Sequence, residues 1–418
     1  MANRAPSLLA ESTVVNTSRF RLLLLVCCVL TGLFSSLQAG EIRTIDGANH
    51  VGEITSLDSS EVKLRSGEGD KITSFPLKEV ISIDWNNAAR NVTRVPYLKV
   101  KLIDGTLIYC LTLEMKAKQI ELLLINGHRW TVTFDQVHVI VCDAQDTASL
   151  AAFEALEAER PREDVIRVQS REGNNIEPYQ GLIQEANAQG TRLVFKAVGL
   201  DQASNIDVAR LRGLYFHRSS VGVGPQAIAR IYDTFGNCFT ATAWQWGKSD
   251  CTLTTQLGKQ LVLPNSTITK MDLTPGKLVY LSDLEPLKVE ESPILADLFR
   301  YRKDKNLEGG PLSVGRRVYE KGLALHSRTI LEYDIKGYSS FRCTLGLDDA
   351  MAGSAHALVR IEGDDKVLLS TNINSRENKP QQVNVDIKGL QKLRIVVDYG
   401  EDLDLGDHIN LADARLIK

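Results

Sequence analysis

This chain of 418 residues has little net charge, few cysteines and few aromatic side chains. The formal net charge is only −3, which provides no positive field for polyphosphate, so we expect no nucleic-acid partner. The seven cysteines include no Cys-x-x-Cys pair, which removes the usual signature of zinc and thioredoxin-like redox sites. Aromatic residues make up 6% of the chain, so few rings are available to stack on a ligand.

The common catalytic motifs are absent as well. The sequence contains no Gly-x-Ser-x-Gly elbow, no His-Glu-x-x-His zinc motif and no Gly-x-x-x-x-Gly-Lys phosphate loop. We therefore predict that the protein is not an enzyme. Glycoside hydrolysis needs only two carboxylates at a suitable separation, so with 52 acidic residues this one activity stays open as an alternative.

Long apolar runs are missing apart from one near the amino terminus. Arg19 and Arg21 precede an apolar run over residues 22–30, and a small residue, Ala39, follows it. This order is typical of a secretory signal, here residues 1–39 with cleavage after Ala39. We expect an exported protein of the periplasm, cell envelope or extracellular space, with no membrane span after cleavage. The alternative is an uncleaved N-terminal anchor.

A pattern of short strands and tight turns recurs between this segment and Pro275. It is clearest in two stretches that begin at Ile45-Asp46-Gly47 and at Ile103-Asp104-Gly105, because Asp-Gly pairs suit the positive φ angles of hairpin turns. Weaker copies occupy residues 181–216 and 231–271. We predict that each copy is a small barrel, SH3-like or Sm-like, or a curled sheet of four or five strands, which either closes on itself or pairs with its neighbour.

The predicted layout of the chain has five parts, which are an export signal, three regions of β structure and one helical linker. They are a signal peptide at 1–39, two small barrel-like repeats at 40–145, a helical linker at 146–163, two further repeats at 164–275 and a β-sandwich at 276–418. The fold class is therefore all-β.

Two residue pairs in the last repeat leave alternatives open. Trp244 and Trp246 are two apart, so in a strand they face the same side, either as a sugar platform or as core. Cys238 and Cys251 belong to the same unit and form either a disulfide or two separate buried thiols.

The last third of the chain alternates apolar and polar residues with period two, as the strands of a sandwich do. It also contains a series of ordered motifs, which are Tyr280-Leu281-Ser282-Asp283-Leu284-Glu285-Pro286, Gly309-Gly310-Pro311-Leu312, Tyr319-Glu320-Lys321-Gly322-Leu323-Ala324-Leu325-His326-Ser327, Leu345-Gly346-Leu347-Asp348-Asp349 and Asp407-His408-Ile409-Asn410-Leu411-Ala412-Asp413-Ala414-Arg415-Leu416. In this order they resemble the NPCBM family of carbohydrate-binding modules. The resemblance implies a galactose-binding-like jelly-roll sandwich, within a layout similar to exported planctomycete-type proteins.

The resemblance implies a glycan or polysaccharide as partner, with galactose-containing glycans among the expected ligands. The candidate carbohydrate-binding residues are polar groups in the turns of these motifs, namely His326, Asp348, Asp349, Asp407, His408 and Asn410. Their carboxylate, amide and imidazole groups can bond sugar hydroxyls, or they can instead satisfy the turn backbone. Leu411 stands where the family often has an aromatic residue, which leaves the sugar-stacking ring missing.

Related sandwiches often hold a structural calcium ion, so the resemblance also implies a calcium site with Asp283 and Asp413 as candidate ligands. No other cofactor is expected. The leading function is an exported, non-catalytic carbohydrate-binding or cell-envelope glycan adhesion protein. The alternatives are a structural or protein-interaction protein whose sandwich has lost sugar binding, and an uncharacterised glycoside hydrolase.

Overall fold

The computed structural model describes residues 39–67, 71–88, 96–173, 175–218, 225–292, 294, 299–351, 355–375, 379–401 and 403–418. The predicted signal segment lies outside these residues except for Ala39, which begins the first strand. Strands dominate the described chain, so the all-β prediction is confirmed. No helix among the described residues is long and apolar enough to cross a membrane.

Twenty strands form four units of five between residues 39 and 272, and a 3-10 turn precedes the last strand of each unit. The first unit has β1 (Ala39–Thr44), β2 (Asn49–Leu57), β3 (Glu61–Arg65), β4 (Ile72–Pro76) and β5 (Val80–Asp84), and the second has β6 (Leu98–Leu102), β7 (Leu107–Lys116), β8 (Gln119–Leu124), β9 (Arg129–Thr133) and β10 (Val137–Val141). The third has β11 (Asp164–Gln169), β12 (Ile176–Ala186), β13 (Arg192–Ala197), β14 (Ser204–Asp207) and β15 (Leu211–Tyr215), and the fourth has β16 (Ala229–Asp233), β17 (Cys238–Trp246), β18 (Asp250–Thr255), β19 (Gln260–Pro264) and β20 (Ile268–Asp272).

All four units share one strand order. In each unit the first strand pairs with both the second and the fifth, and the second, third and fourth follow as antiparallel neighbours. The second strand also carries an irregularity at a similar place each time, near Ile54, Cys110, Ile183 and Ala241. A bulge there bends the strand and lets five short strands curl around a small core.

The units do not close as separate barrels. The fifth strands pair antiparallel across units, β5 with β20 and β10 with β15, and the pairing of Leu107 of β7 with Cys238 of β17 links the two resulting halves into one sheet of twenty strands. One apolar cluster runs through all four units, from Ile42 to Leu273. The paired strands are far apart in the sequence, so their pairing fixes how the four units are arranged.

Helix α1 (Thr147–Glu159) connects the second and third units. Asp146 caps it by accepting a hydrogen bond from the Ser149 backbone N–H, and Arg160 ends it in the left-handed conformation. The predicted linker therefore contains a helix, but the helix also packs. Its Phe153 is 2% exposed and lies in an apolar cluster with side chains of β10, β11 and β15.

Strand geometry in the fourth unit decides whether Cys238 and Cys251 can form a disulfide and whether Trp244 and Trp246 belong to the core. Cys251 of β18 pairs with Trp246 of β17. Cys238 lies eight residues before Trp246 on β17, so the two cysteines are roughly 26 Å apart at about 3.3 Å per residue. Both cysteines are free buried thiols. The Trp246 ring stacks on Trp85 with centroids 4.9 Å apart, and with Trp244 it packs against the apolar core, which favours the core interpretation.

Residues 278–417 form two sheets that enclose a second apolar core. The strands are β21 (Leu278–Tyr280), β22 (Lys288–Glu291), β23 (Arg302–Lys303), β24 (Leu312–Val314), β25 (Arg317–Tyr319), β26 (Gly322–Leu325), β27 (Thr329–Asp334), β28 (Ser340–Leu347), β29 (His356–Gly363), β30 (Lys366–Asn374), β31 (Gln381–Asp386), β32 (Lys392–Tyr399) and β33 (Ile409–Ile417). One sheet has the order β23–β26–β33–β28–β31 with β21 also on β33, the other has β22–β27–β32–β29–β30, and β24–β25 is a separate hairpin. The predicted sandwich is confirmed.

The sandwich contacts the first unit. Ile81 of β5 packs with Leu278 and Ile417 in a small apolar cluster. The Lys277 ammonium donates hydrogen bonds to the carbonyl oxygens of Leu77 and Val80, each at 2.6 Å. These contacts fix the sandwich beside the β5–β20 junction.

Candidate functional site

Three strand ends meet at one end of the sandwich. β33 lies between β26 and β28, and Ile409 pairs with Leu325 on one side and Leu347 on the other. The residues next to these positions along the chain are His326, Asp348 and His408. The register of the sheet therefore brings together three side chains that are up to 82 residues apart in sequence.

The half-exposed ring of Phe299 packs beside both histidines. The Phe299 ring centroid lies 5.3 Å from that of His326 and 4.9 Å from that of His408, and the two imidazoles are 5.7 Å apart. Phe299 is 42% exposed, whereas His326 and His408 are 7% and 5% exposed. A half-exposed ring beside polar groups can cover the apolar face of a small ligand.

Asp348 is held in place by its backbone and by the β24–β25 hairpin. Its backbone N–H donates to the His408 carbonyl oxygen at 3.0 Å, and its Oδ1 accepts from the Ser313 hydroxyl at 3.3 Å and the Ala350 N–H at 3.0 Å. These bonds satisfy the turn and fix the carboxylate close to the His408 ring. Asp348 is only 2% exposed, so in this structure its role is structural.

The other three candidates lie apart from this ring cluster. Asp407 is fully buried and accepts hydrogen bonds from the Ser327 hydroxyl and the His356 backbone N–H, so it holds the loop. Asn410 donates to the Ser313 carbonyl oxygen at 3.0 Å beneath the hairpin. Asp349 is exposed and accepts from the Arg316 N–H at 2.7 Å.

Burial and the neighbouring His326 lower the pKa of His408, while Asp348 and Glu308 oppose this shift. A lowered pKa keeps the imidazole neutral at pH 7. A neutral imidazole has one N–H donor and one acceptor nitrogen, which suits a hydroxyl group that can also donate and accept. A neutral His408 can therefore both donate a hydrogen bond to a hydroxyl group and accept one from it.

Sequence reasoning missed Phe299, because the only position at which the family resemblance indicates a stacking ring is that of Leu411. Leu411 is fully buried and belongs to the sandwich core, so an aromatic residue at that position would face inward. Phe299 follows β22 in a segment without strand periodicity. Its position beside strands β26 and β33 depends on tertiary folding, so no local pattern could have indicated it.

The two predicted calcium ligands do not fit a shared calcium site as placed. The Asp283 carboxylate lies 2.6 Å from the Lys321 ammonium, and Asp413 pairs with both Arg43 and Arg415. A bound cation would have to replace these basic groups. Among the described residues no group of three or more acidic, histidine or cysteine side chains is arranged to hold a metal ion.

Comparison with known proteins identifies the class of the sandwich. Residues 277–417 match the model of the NPCBM/NEW2 domain, which confirms the resemblance seen in the sequence motifs. The match covers the C-terminal third of the chain and does not include the twenty-stranded part. A search of curated proteins found no match.

Several solved structures are similar to this chain. CBM51 of a Clostridium perfringens GH95 protein, in complex with methyl-galactose, is 26% identical with a TM-score of 0.30, and the alignment covers 33% of this chain and 99% of that module. CBM51-2 with INT domains of Clostridium perfringens ZmpB, in complex with GlcNAc, is 18% identical with a TM-score of 0.31, covering 44% and 42% of the two chains. Tandem CBM51 modules of a Streptococcus pneumoniae family 98 glycoside hydrolase are 12% identical with a TM-score of 0.30, covering 90% and 87%.

Proposed function

We propose that the protein is an exported, non-catalytic carbohydrate-binding protein, which binds a glycan of the cell envelope or surroundings at the end of its sandwich. The observation that carries the proposal is the half-exposed Phe299 ring against two histidines, within a domain that matches the NPCBM/NEW2 model. Phe299 covers one face of a sugar ring, His408 bonds its hydroxyls, and Asp348 holds the loop that carries His408 in place. The family resemblance favours a glycan that contains galactose.

Export is the second part of the proposal. It is supported by the basic residues and apolar run before Ala39, which lie outside the described residues apart from Ala39 itself. Cleavage after Ala39 removes one residue of β1 and leaves the pairs from Gly40 to Arg43 with β2 intact. Mass spectrometry of the protein secreted by the cell checks this directly. A mature chain that begins at Gly40 supports export, and a chain that keeps residues 1–39 contradicts the cleavage.

Carbohydrate binding is tested with the full chain on a glycan array, followed by calorimetry with the glycans that bind. Phe299→Ala and His408→Ala should each weaken binding by about tenfold or more, since each removes about 1.4 kcal/mol or more of contact. Tyr179→Ala is a matched control because this ring is 43% exposed but lies on β12. If the wild-type chain binds no glycan on the array, with or without calcium, the proposal is wrong.

A further inference from the structure

The paired fifth strands of the first and fourth units have a polar outer surface. Across it, Arg230 of β16 pairs with Asp272 of β20, which pairs with Ser82 of β5. In the second and third units the same register positions hold Val165, Tyr215 and Val139. Equivalent positions of the two junctions therefore carry opposite chemistry.

The apolar junction is covered and the polar one is not. Phe153 of α1 packs against Val139, Val165 and Tyr215, so the helix removes this surface from water. Over the polar junction there is instead a cleft of about 560 Å³, whose other wall is the sandwich. This volume is within the range of roughly 300–1,000 Å³ of small-molecule sites. A charged surface that keeps such a space open is suited to a polar ligand.

The wall formed by the sandwich adds aromatic rings and donors. Tyr280, Tyr319, Arg317 and Lys321 face the cleft, and Tyr232 of β16 lines the opposite wall. The Arg317 guanidinium lies 5.2 Å from the centroid of the Tyr319 ring. Phenol rings with fixed donors beside them can cover and bond successive sugar rings.

Charges in the cleft largely neutralise one another. Six carboxylates and five basic side chains line it. Three ion pairs lie within it, namely Arg43–Asp413 at 3.3 Å, Arg230–Asp272 at 3.7 Å and Lys321–Asp283 at 2.6 Å. A strongly charged ligand would find as many repulsive as attractive groups, whereas a neutral ligand rich in hydroxyls finds both donors and acceptors.

We propose that this interdomain cleft is a second binding site, separate from the Phe299–His408 end of the sandwich, and that it binds a neutral oligosaccharide. It is built jointly by the β5–β20 junction and the β24–β25 hairpin. The site requires the sandwich to be docked on the first unit, so an isolated sandwich domain does not contain it.

The test uses the full chain on an array of neutral and anionic glycans that includes galactotriose, cellotriose, chitotriose and sialyllactose. One variant, Phe299→Ala/His408→Ala, removes the end site. A second, Lys270→Ala/Arg317→Ala, changes one exposed residue on each wall of the cleft. Arg129→Ala/Lys336→Ala removes the same charges from exposed positions elsewhere and is the matched control.

The end-site variant should still bind at least one neutral oligosaccharide, and the cleft variant should bind that ligand about tenfold more weakly or not at all. The control should bind as wild type. Loss of all glycan binding in the end-site variant, or unchanged binding in the cleft variant, overturns the second site. If the cleft variant loses all binding and the end-site variant loses none, the cleft stands and the proposed end site fails.

Discussion

The contact between Phe153 and Gly213 gives a quantitative test of how α1 holds the second and third units together. A Cβ atom at Gly213 of β15 would lie 1.8 Å from Phe153 Cζ and 2.8 Å from the Ile140 carbonyl oxygen. The ring therefore fills the space that a glycine leaves on the strand. Two substitutions, Phe153→Ala and Gly213→Ala, disturb this contact from opposite sides.

Phe153→Ala removes a buried aromatic ring, which costs about 3–5 kcal/mol of unfolding free energy. We expect a value of about 3 kcal/mol, because an open groove of about 440 Å³ lies beside the ring and lets its neighbours relax. Gly213→Ala forces the ring aside and should cost about 2–3 kcal/mol by overpacking. In the double variant the ring clash disappears but the contact with Ile140 stays. The combined cost should thus fall about 1–2 kcal/mol below the sum.

Tryptophan fluorescence during urea unfolding measures these changes selectively. All four tryptophans, Trp85, Trp130, Trp244 and Trp246, belong to the twenty-stranded part, so the sandwich does not contribute to the signal. Glu154→Ala, on the exposed side of the helix, is the control and should change stability by no more than about 0.5 kcal/mol. Strict additivity of the two substitutions, or a cost below about 1 kcal/mol for Phe153→Ala, would refute the packing argument.

Three further predictions concern titratable groups. His138, followed by Lys101, lowers the pKa of Glu157 to about 2, so its contribution to stability is present above pH 4.5 and lost as pH falls towards 2. Glu157→Gln should flatten this part of the fluorescence-monitored stability profile by about 1–2 kcal/mol, and identical profiles would contradict it. Lys277→Met leaves the carbonyl oxygens of Leu77 and Val80 without their donor and should lower the unfolding free energy by about 1–3 kcal/mol, measured by calorimetry. An unchanged unfolding temperature would argue against these bonds. Because the pKa of His408 is lowered from 6.5, glycan affinity should be constant from pH 8 to 6.5 and fall only at lower pH, and a loss centred above 6.5 would exclude the neutral imidazole as the binding form.

Local features of the fold could be predicted because their causes are local. The turns after Ile45 and Ile103 contain glycines with φ of 90° and 82°, which is what the Asp-Gly pairs indicated. Period-two alternation predicted the sandwich strands for the same reason. The pairing of β5 with β20 has no such signal, because it joins residues 186 positions apart, Asp84 and Lys270, through backbone bonds that any sequence can form.

The candidate site was predicted only as far as its polar residues. His326, Asp348 and His408 come from separate motifs, and the register of β26, β33 and β28 brings them together. Leu411, at the position where the family often has an aromatic residue, points into the core, and the exposed ring at this end belongs to Phe299. Which side of a strand faces the core follows from alternation, but which loop lies over its end does not.

The different chemistry of the two junctions explains why the helix lies over only one of them. A surface of Val139, Val165 and Tyr215 cannot stay exposed without a large unfavourable contact with water, and α1 follows β10 directly and covers it. The equivalent surface of Ser82, Arg230 and Asp272 needs no cover, because its charged groups are better solvated than buried. The sandwich therefore docks beside this surface through Ile81, Leu278 and Ile417 and leaves the charged strands lining a cleft. One strand arrangement thus serves as a packing surface in one half of the N-terminal part and as the wall of a solvated cleft in the other.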